Sequence, residues 1–371
     1  MRFVCERDKL LAAFQTAATV APSRSPKPIL QNVKLVVTQQ QATLMATDME
    51  VGIRIDVPGI QVDAPGTAVL PVSRFGLILR ESTDAKLLVE ADPQGTVVRG
   101  DRSEFKFPGQ NPDEFPEVAQ FADESYYEVS ARLLKELIRR TLFATDTESS
   151  RYALGGVLLE FEQDKVTAVG TDGRRLAKME GPCVCVGQIN QNDATTIVPA
   201  RSMQLIERAF TDLDSEVRIA THVNDVLLKS PRVTIYSRLV EGRFPKWRDV
   251  FPKRRESVQI ELAVGPLYAA LRQAAVVAND DSRGIDFAFA DGTLVLSGTT
   301  AEIGQSRVEL PVAYDGPSLT VTLDNRYVAE FLRVLDPEKT LTFDLENTDS
   351  AALLTTDDGY GYVVMPLARD R

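Results

Sequence analysis

Two rhythms of apolar residues alternate along the chain. Leu133, Leu134, Leu137, Ile138 and Phe143 follow the i, i+3, i+4 spacing that gives a helix one apolar face. Segments such as NVKLVV (32–37), GVLLEF (156–161) and GIDFAFA (284–290) place Val, Leu, Ile and Phe at alternate positions, as half-buried strands do. Extended over the sequence, the two rhythms predict six helices, within residues 7–21, 73–82, 130–144, 200–211, 264–278 and 324–335, joined by about two dozen short strands.

The rhythms repeat as a set. A short strand, an amphipathic helix and a strand pair occur as RFVCERDKLLAAFQTAATVA with NVKLVVTQQQATLMATD. The set recurs as YYEVSARLLKELIRRTLFA with GVLLEFEQDKVTAVGTD, and as SVQIELAVGPLYAALRQAAVVA with GIDFAFADGTLVLSGTT. Asn32, Gly156 and Gly284 hold matching places, each sixteen residues before Asp48, Asp172 or Thr300. A second strand-helix unit follows in each case (AVLPVSRFGLILRES, TIVPARSMQLIERAF, LTVTLDNRYVAEFLRVL), and closing strands are expected to end in FPEV, FPKW and VVMPL. A repeat of about 125 residues is domain-sized and not a solenoid unit. The fold class is therefore α+β, with three similar β-rich domains at residues 1–124, 125–254 and 255–371, each with two helices packed on sheets.

Charge refines this. The chain carries 42 Lys and Arg against 53 Asp and Glu, net −11, which excludes a uniformly basic nucleic-acid binder. The six predicted helices nevertheless hold thirteen basic and six acidic residues, net +7, leaving −18 for the rest. Good helix formers include Glu as well as Lys and Arg, so the missing Glu is not explained by propensity. Arg74, Arg80, Arg132, Lys135, Arg139 and Arg201 are candidate phosphate contacts of the sequence-independent kind.

Catalytic chemistry finds no support. The single histidine, His222, argues against a His-built metal site or a Ser/Cys–His pair, and in ATHVND it reads as an exposed turn residue. Cys5, Cys183 and Cys185 match no disulfide or zinc spacing; the run Cys183-Val184-Cys185 is read as turning its thiols to opposite faces of a strand. Gly170-Thr171-Asp172-Gly173 lacks the lysine and helix of a phosphate loop and reads as a hairpin turn. Asp48 and Asp172 occupy equivalent places in different domains and are no acid pair. Arg174-Arg175 and Lys253-Arg254-Arg255 read as loop charges. The amino terminus, charged from Glu6 to Lys9, is unlike a secretory leader, and no apolar run reaches membrane-spanning length; a soluble cytoplasmic protein is expected.

Several of these segments together resemble the bacterial DNA polymerase III β sliding clamp family: MRFVCERDKLL, Pro28-Ile29-Leu30-x-Asn32, ATD at 46–48, Arg151-Tyr152-x-Leu154, TDGRRL at 171–176, LVEGRFPKW at 239–247 and YVVMP at 362–366. The resemblance implies two three-domain subunits joined head to tail into a six-domain ring, helices lining the hole and sheets forming the wall. It adds Arg24, Arg151 and Tyr152 as DNA contacts. It implies a partner-peptide pocket at Leu154, Thr171, Gly173, Arg174, Arg175, Leu176, Pro245, Val250, Tyr327, Val363, Val364, Met365, Pro366 and Leu367. It also implies a dimer interface in which Ile78 and Phe105 meet Val276 and Val277 of a second copy. Implied partners are duplex DNA, a second copy, an ATP-driven clamp loader, and the replicative polymerase with other clamp-binding-motif proteins; no cofactor, metal, membrane or catalysis is implied. Arg174 stands where histidine is common, Asp249 where a basic residue is frequent, and Gly155 where asparagine is common, departures that bear on partner preference. The contrasting reading is a clamp-fold interaction scaffold that does not encircle DNA.

Overall fold

The computed structural model describes residues 1–146, 152–188, 195–252, 257–279 and 283–367, with Tyr152 described in its backbone alone. Seven α-helices lie among them: α1 (Arg7–Ala18), α2 (Val72–Glu81), α3 (Ala131–Thr141), α4 (Ala200–Ala209), α5 (Trp247–Val250), α6 (Val264–Ala274) and α7 (Asn325–Arg333), with 26 strands. Six coincide with the predicted helices. The fourth-turn apolar rhythm outlasts the α-helix in two of them, because α3 and α6 run on as 3-10 turns at Leu142–Ala144 and Ala275–Val277.

The repeats are visible in how their helices start. Side-chain caps are absent at Glu6 and Ala263, which precede α1 and α6. The orphaned first donor is instead taken by a carbonyl from the loop after a later helix: Arg7 N to Ala85 O at 2.9 Å, Ala131 N to Ser215 O at 2.9 Å and Val264 N to Lys339 O at 3.0 Å. In the first and third repeats this tertiary bond stands in for a cap, and in the second it adds to the Ser130 hydroxyl, which accepts from Leu133 N at 3.3 Å.

The chain forms two compact units that do not follow the repeats: residues 1–134 with 183–239, and residues 135–182 with 240–371. In the first unit a five-stranded sheet runs in the order 60–64, 2–6, 86–92, 95–99, 104–108. A nine-stranded sheet runs 184–186, 126–130, 216–221, 225–229, 233–238, 51–57, 42–47, 32–37, 66–71. Strand 233–238 of the second repeat pairs antiparallel with 51–57 of the first, Val51 opposite Ser237. In the second unit strands 156–161, 165–171, 175–182, 361–364, 352–355, 340–345 and 258–263 are neighbours in that order, and a four-stranded sheet runs 304–311, 293–300, 284–290, 319–324. Strand 361–364 of the third repeat pairs with 175–182 of the second, Arg175 opposite Val364.

Three sequence expectations are corrected. The closing strands are 104–108, 233–238 and 361–364, so FPEV and FPKW lie beyond them, and the last strand stops before Met365-Pro366. Proline cannot donate to a ladder; Phe115, Val118, Phe244 and Trp247 are buried from irregular or helical backbone instead. Cys183 and Cys185 do not face opposite ways. Residues two apart on a strand share a face, and Val184 between them is the exposed one, at 59%. Burial first, then the Cys185 and Cys183 thiols, raise the pKa of Tyr127.

His222 is half-buried and not a free turn residue. Its Nδ1 lies 2.6 Å from Asp225 Oδ1 and its Nε2 2.9 Å from Asp123 Oδ1, which ties the segment leading into the second repeat to the 221–225 hairpin. Burial disfavours the charged ring, but the hydrogen bonds to Asp225 and Asp123 outweigh it and lift its pKa above the ordinary 6.5. A raised folded-state value stabilises fully below the unfolded value and is lost as pH rises through the folded one. Denaturation of wild type and His222→Gln is expected to show the wild-type advantage at pH 6 and its disappearance at alkaline pH; an advantage unchanged with pH overturns the ionic clasp.

Candidate functional site

The basic helix faces follow from amphipathicity. On α3, Leu134, Leu137 and Ile138 are buried while Arg132 and Arg139 are exposed and Lys135 half-exposed; spacings of three and four keep these three cations on one stripe. On α2, Phe75 and Leu79 are buried and Arg74 and Arg80 exposed. On α4, Met203, Leu205 and Ile206 are buried and Arg201 exposed.

Not all of that charge is unopposed. Arg132 pairs with Asp214 at 3.0 Å and Arg139 with Glu136 at 2.9 Å, exposed pairs of the kind worth about 0–1 kcal/mol, which a phosphate can displace. Arg201 meets the nearly buried Asp48 at 2.6 Å, a carboxylate that also accepts from the Glu50 and Val51 amides at 3.0 and 2.8 Å. Among the described residues Arg24, Arg74, Arg80 and Lys135 have no carboxylate within 4 Å, and Arg24 is exposed on the loop after α1. Arg151 lies outside the described residues, as do Lys253, Arg254 and Arg255, and the side chain of Tyr152 is not described.

The fourteen residues named for a peptide pocket all belong to the second compact unit. A Thr-Asp turn organises them. Thr171 Oγ1 donates to Arg175 O at 2.6 Å and accepts from Gly173 N at 3.1 Å; Asp172 Oδ1 accepts from the amides of Arg174 and Arg175 at 2.9 and 3.0 Å. Gly173 takes φ +87° with open space where a side chain would begin, the left-handed conformation glycine adopts without cost. The segment after strand 361–364 is tied to this turn by Met365 N donating to Arg174 O at 3.0 Å, and to strand 319–324 by Leu367 N donating to Thr322 O at 2.9 Å.

Burial sorts the fourteen into floor and rim. Thr171, Leu176, Val363, Val364 and Leu154 are buried, whereas Gly173, Arg174, Pro245, Val250, Met365 and Leu367 are exposed and Tyr327 and Pro366 half-exposed. Leu154 closes a 3-10 turn, its carbonyl accepting from Asp146 N at 2.9 Å. The α5 segment carrying Val250 reaches the floor through its neighbour Phe251, whose ring tip lies 2.8 Å from where a Cβ on Gly361 would be, so a larger residue there would have to displace that ring. Exposed Met365, at 47%, is an adaptable apolar contact beside a rigid strand.

Arg175 is a framework residue here. It is 8% exposed. Its Nε pairs with Asp172 at 3.0 Å, its Nη2 donates to Phe143 O at 2.7 Å, its Nη1 pairs with Glu330, and the guanidinium stacks 4.3 Å from the centre of the Tyr327 ring. Sequence reasoning missed Glu330, Phe143 and Phe251 as supports of this site. Phe143 was legible only as a helix-face residue, and Glu330 lies in a distant helix whose partner no local spacing reveals.

Of the residues named for self-association, Phe105 lies on an edge strand, Ile78 on α2, and Val276 and Val277 on the 3-10 turn that continues α6. Phe105 (37% exposed) belongs to edge strand 104–108, and with Arg74, Leu77, Ile78 and Phe107 it lines a cavity of about 770 Å³. Val276 is 75% exposed; Val277 O accepts from Thr300 Oγ1 at 2.5 Å, beside edge strand 304–311.

Comparison with known proteins places this geometry. Three family models describing the DNA polymerase III beta subunit match in sequence: the N-terminal domain at residues 1–119, the central domain at 128–246 and the C-terminal domain at 248–368. The beta sliding clamp of Pseudomonas putida is 32% identical across 99% of this chain and 100% of its own length; that of Escherichia coli K12 is 28% identical over the same shares. Among solved structures, the DNA polymerase III subunit beta of Pseudomonas aeruginosa superposes with a TM-score of 0.90 at 28% identity, covering all of both chains. The sliding clamp of that organism bound to griselimycin gives 0.91 at 29% identity, also over both full lengths. With its three β-rich domains matched in order from end to end, the chain belongs to the DNA polymerase III beta subunit family.

Proposed function

We propose that this chain is a DNA sliding clamp: two copies close a ring around duplex DNA, hold it without sequence preference, and tether the replicative polymerase and other motif-bearing proteins through the Met365 groove. The observation that carries this reading is the polarity of the helices, which set Arg and Lys outward in a protein of net charge −11. Family membership supplies the processivity role. No catalytic step is assigned; among the described residues no group of three His, Cys, Asp or Glu could hold a metal. Among the described residues no helix is long and apolar enough to cross a membrane; a cytoplasmic location is part of this proposal.

The three repeats 1–124, 125–254 and 255–371 are proposed as the units of duplication. Dimer closure is assigned to Ile78 and Phe105 on one copy meeting Val276 and Val277 on the other, because Phe105 lies on edge strand 104–108 and an exposed edge strand is a template for pairing. Loading falls to a separate ATP-driven loader. The exposed Arg74, Arg80, Arg132, Lys135 and Arg139, the loop residue Arg24, and Arg201 beside Asp48 are assigned to phosphates. Arg151 and Tyr152 keep the role the family resemblance gives them.

The test is retention on nicked circular DNA, loaded with the matching loader and ATP, before and after the circle is cut. A ring stays on circles and runs off linear DNA; retention indifferent to the cut means ordinary surface binding. Reversing Arg132, Lys135 and Arg139 to Glu together is expected to reduce retention at least tenfold while leaving the thermal transition in place, and full retention in moderate salt counts against the helix-lined channel. Met365→Ala is expected to weaken a clamp-binding peptide about tenfold with the dimer intact, consistent with loss of an apolar contact that peptide binding would cover; unchanged affinity removes Met365 from the groove.

A further inference from the structure

The two junctions at which strands of successive repeats join are built on one hydrogen-bond plan. In the first unit Arg238 N donates to Glu50 O at 2.9 Å and Ser230 N to Val233 O at 2.8 Å; in the second, Met365 N donates to Arg174 O at 3.0 Å and Thr356 N to Tyr360 O at 3.1 Å. Thr47 and Asp48 make the same turn as Thr171 and Asp172. These bonds match Val51 with Arg175, Val233 with Tyr360 and, two residues on, Ile235 with Tyr362; counting from the first helix donors Arg7 and Ala131 matches Thr16 with Arg140 and Thr19 with Phe143, and counting from the helix starts Ala200 and Asn325 matches Ile206 with Phe331.

At every one of those six places the first junction has the smaller side chain. In the second junction Tyr360 and Tyr362 are fully buried and stack on Phe331 with ring centres 5.3 and 4.8 Å away. Arg140 pairs with Asp358 at 2.7 Å and Glu136 at 3.0 Å and lies over Tyr360; Arg175 is held as described above. In the first junction these volumes are crevices. One of about 230 Å³ is lined by Thr16 and Val233, the counterparts of Arg140 and Tyr360. Another of about 160 Å³ is lined by Thr19 and Val51, the counterparts of Phe143 and Arg175. An exposed Arg238–Glu50 pair at 3.3 Å, an Arg201–Asp48 pair at 2.6 Å and a buried Ser237–Ser202 hydrogen bond at 2.7 Å stand in place of the missing aromatic and arginine contacts.

We infer that the two junctions are mechanically unequal: the first, between strands 51–57 and 233–238, is the compliant joint of the chain, and the second, between 175–182 and 361–364, is the rigid one that keeps the Met365 groove in shape. Packing sets this difference. A crevice forfeits the dispersion contacts a filled site makes, and local opening is easiest where buried apolar contacts are few. Strain imposed on the chain is taken up at 51–57/233–238 while the peptide-binding junction stays closed.

Native-state hydrogen exchange by mass spectrometry on the full-length protein without DNA tests this. Amides of 51–57 and 233–238 are expected to exchange at least tenfold faster than those of 175–182 and 361–364. Equal rates, or faster exchange at the second junction, overturn the inference. A Thr16→Arg/Val233→Tyr double variant, which restores the second junction's pair in the first, is expected to slow exchange at 51–57/233–238 and leave 175–182/361–364 unchanged; no slowing in a folded variant also overturns it. Should the variant not fold, the wild-type comparison decides alone.

Discussion

The structure depends on strands that cross from one repeat to the next. Strand 233–238 completes a sheet begun by the first repeat, and strand 361–364 one begun by the second. Backbone donors and acceptors at a sheet edge must find partners, and here successive repeats supply them to each other. The repeats are therefore not free-standing beads, which is why the compact units draw on the central repeat from both sides. Pairing in register also carries the end of the chain onto the Thr171–Arg175 turn, so the residues after strand 361–364 become part of a site whose other parts lie some 190 residues earlier in the sequence.

With the sheets fixed in this way, the helices are left to divide apolar from charged surface. α3 shows the economy of it: Leu134, Leu137 and Ile138 face the core, and the stripe of Arg132, Lys135 and Arg139 is what remains outside. Long-range attraction to phosphates needs a cluster of like charge and no exact geometry, so partly exposed side chains suffice. Residues outside the predicted helices carry net −18, so on the proposed reading that attraction is confined to the helical faces.

Much of this was legible in the sequence because it is periodic. A buried helical stripe repeats every three to four residues and a strand every two, so the six long helices and the threefold repeat could be read directly. What escaped is non-periodic. α5 is one turn enforced by Trp247 packing near Phe251 at 6.1 Å and donating to Glu160 at 3.3 Å. His222 looked exposed because its partner Asp123 lies 99 residues away. Arg175, in a run of two arginines, had the pattern of a solvated loop, yet the carboxylate that captures it sits 155 residues on, in α7. Charge runs say nothing about such partners. Cys183 and Cys185 were misread for a simpler reason: the period of a strand is two, so they had to share a face.

Duplication of a backbone plan does not duplicate a site, and the side chains on the two Thr-Asp turns show why. Where the second turn has Gly173, the first has Met49, held at φ +80°, a conformation that costs an L-residue about 1–2 kcal/mol. Where the second has Arg174 with Met365 bonded to its carbonyl, the first has Glu50 with Arg238 bonded in the same way. The first pair is ionic and meets across the turn at 3.3 Å; the second places a cation beside a thioether, which have no reason to pair. Tyr327, stacked on Arg175, is replaced by Ser202, hydrogen-bonded to Ser237 and buried. An apolar peptide side chain would thus find a soft, unpaired surface at the second turn and a closed ionic one at the first. The same change of residues that left crevices beneath the first turn removed its apolar rim, so the proposed compliance and the proposed peptide capture fall on different copies of one architecture.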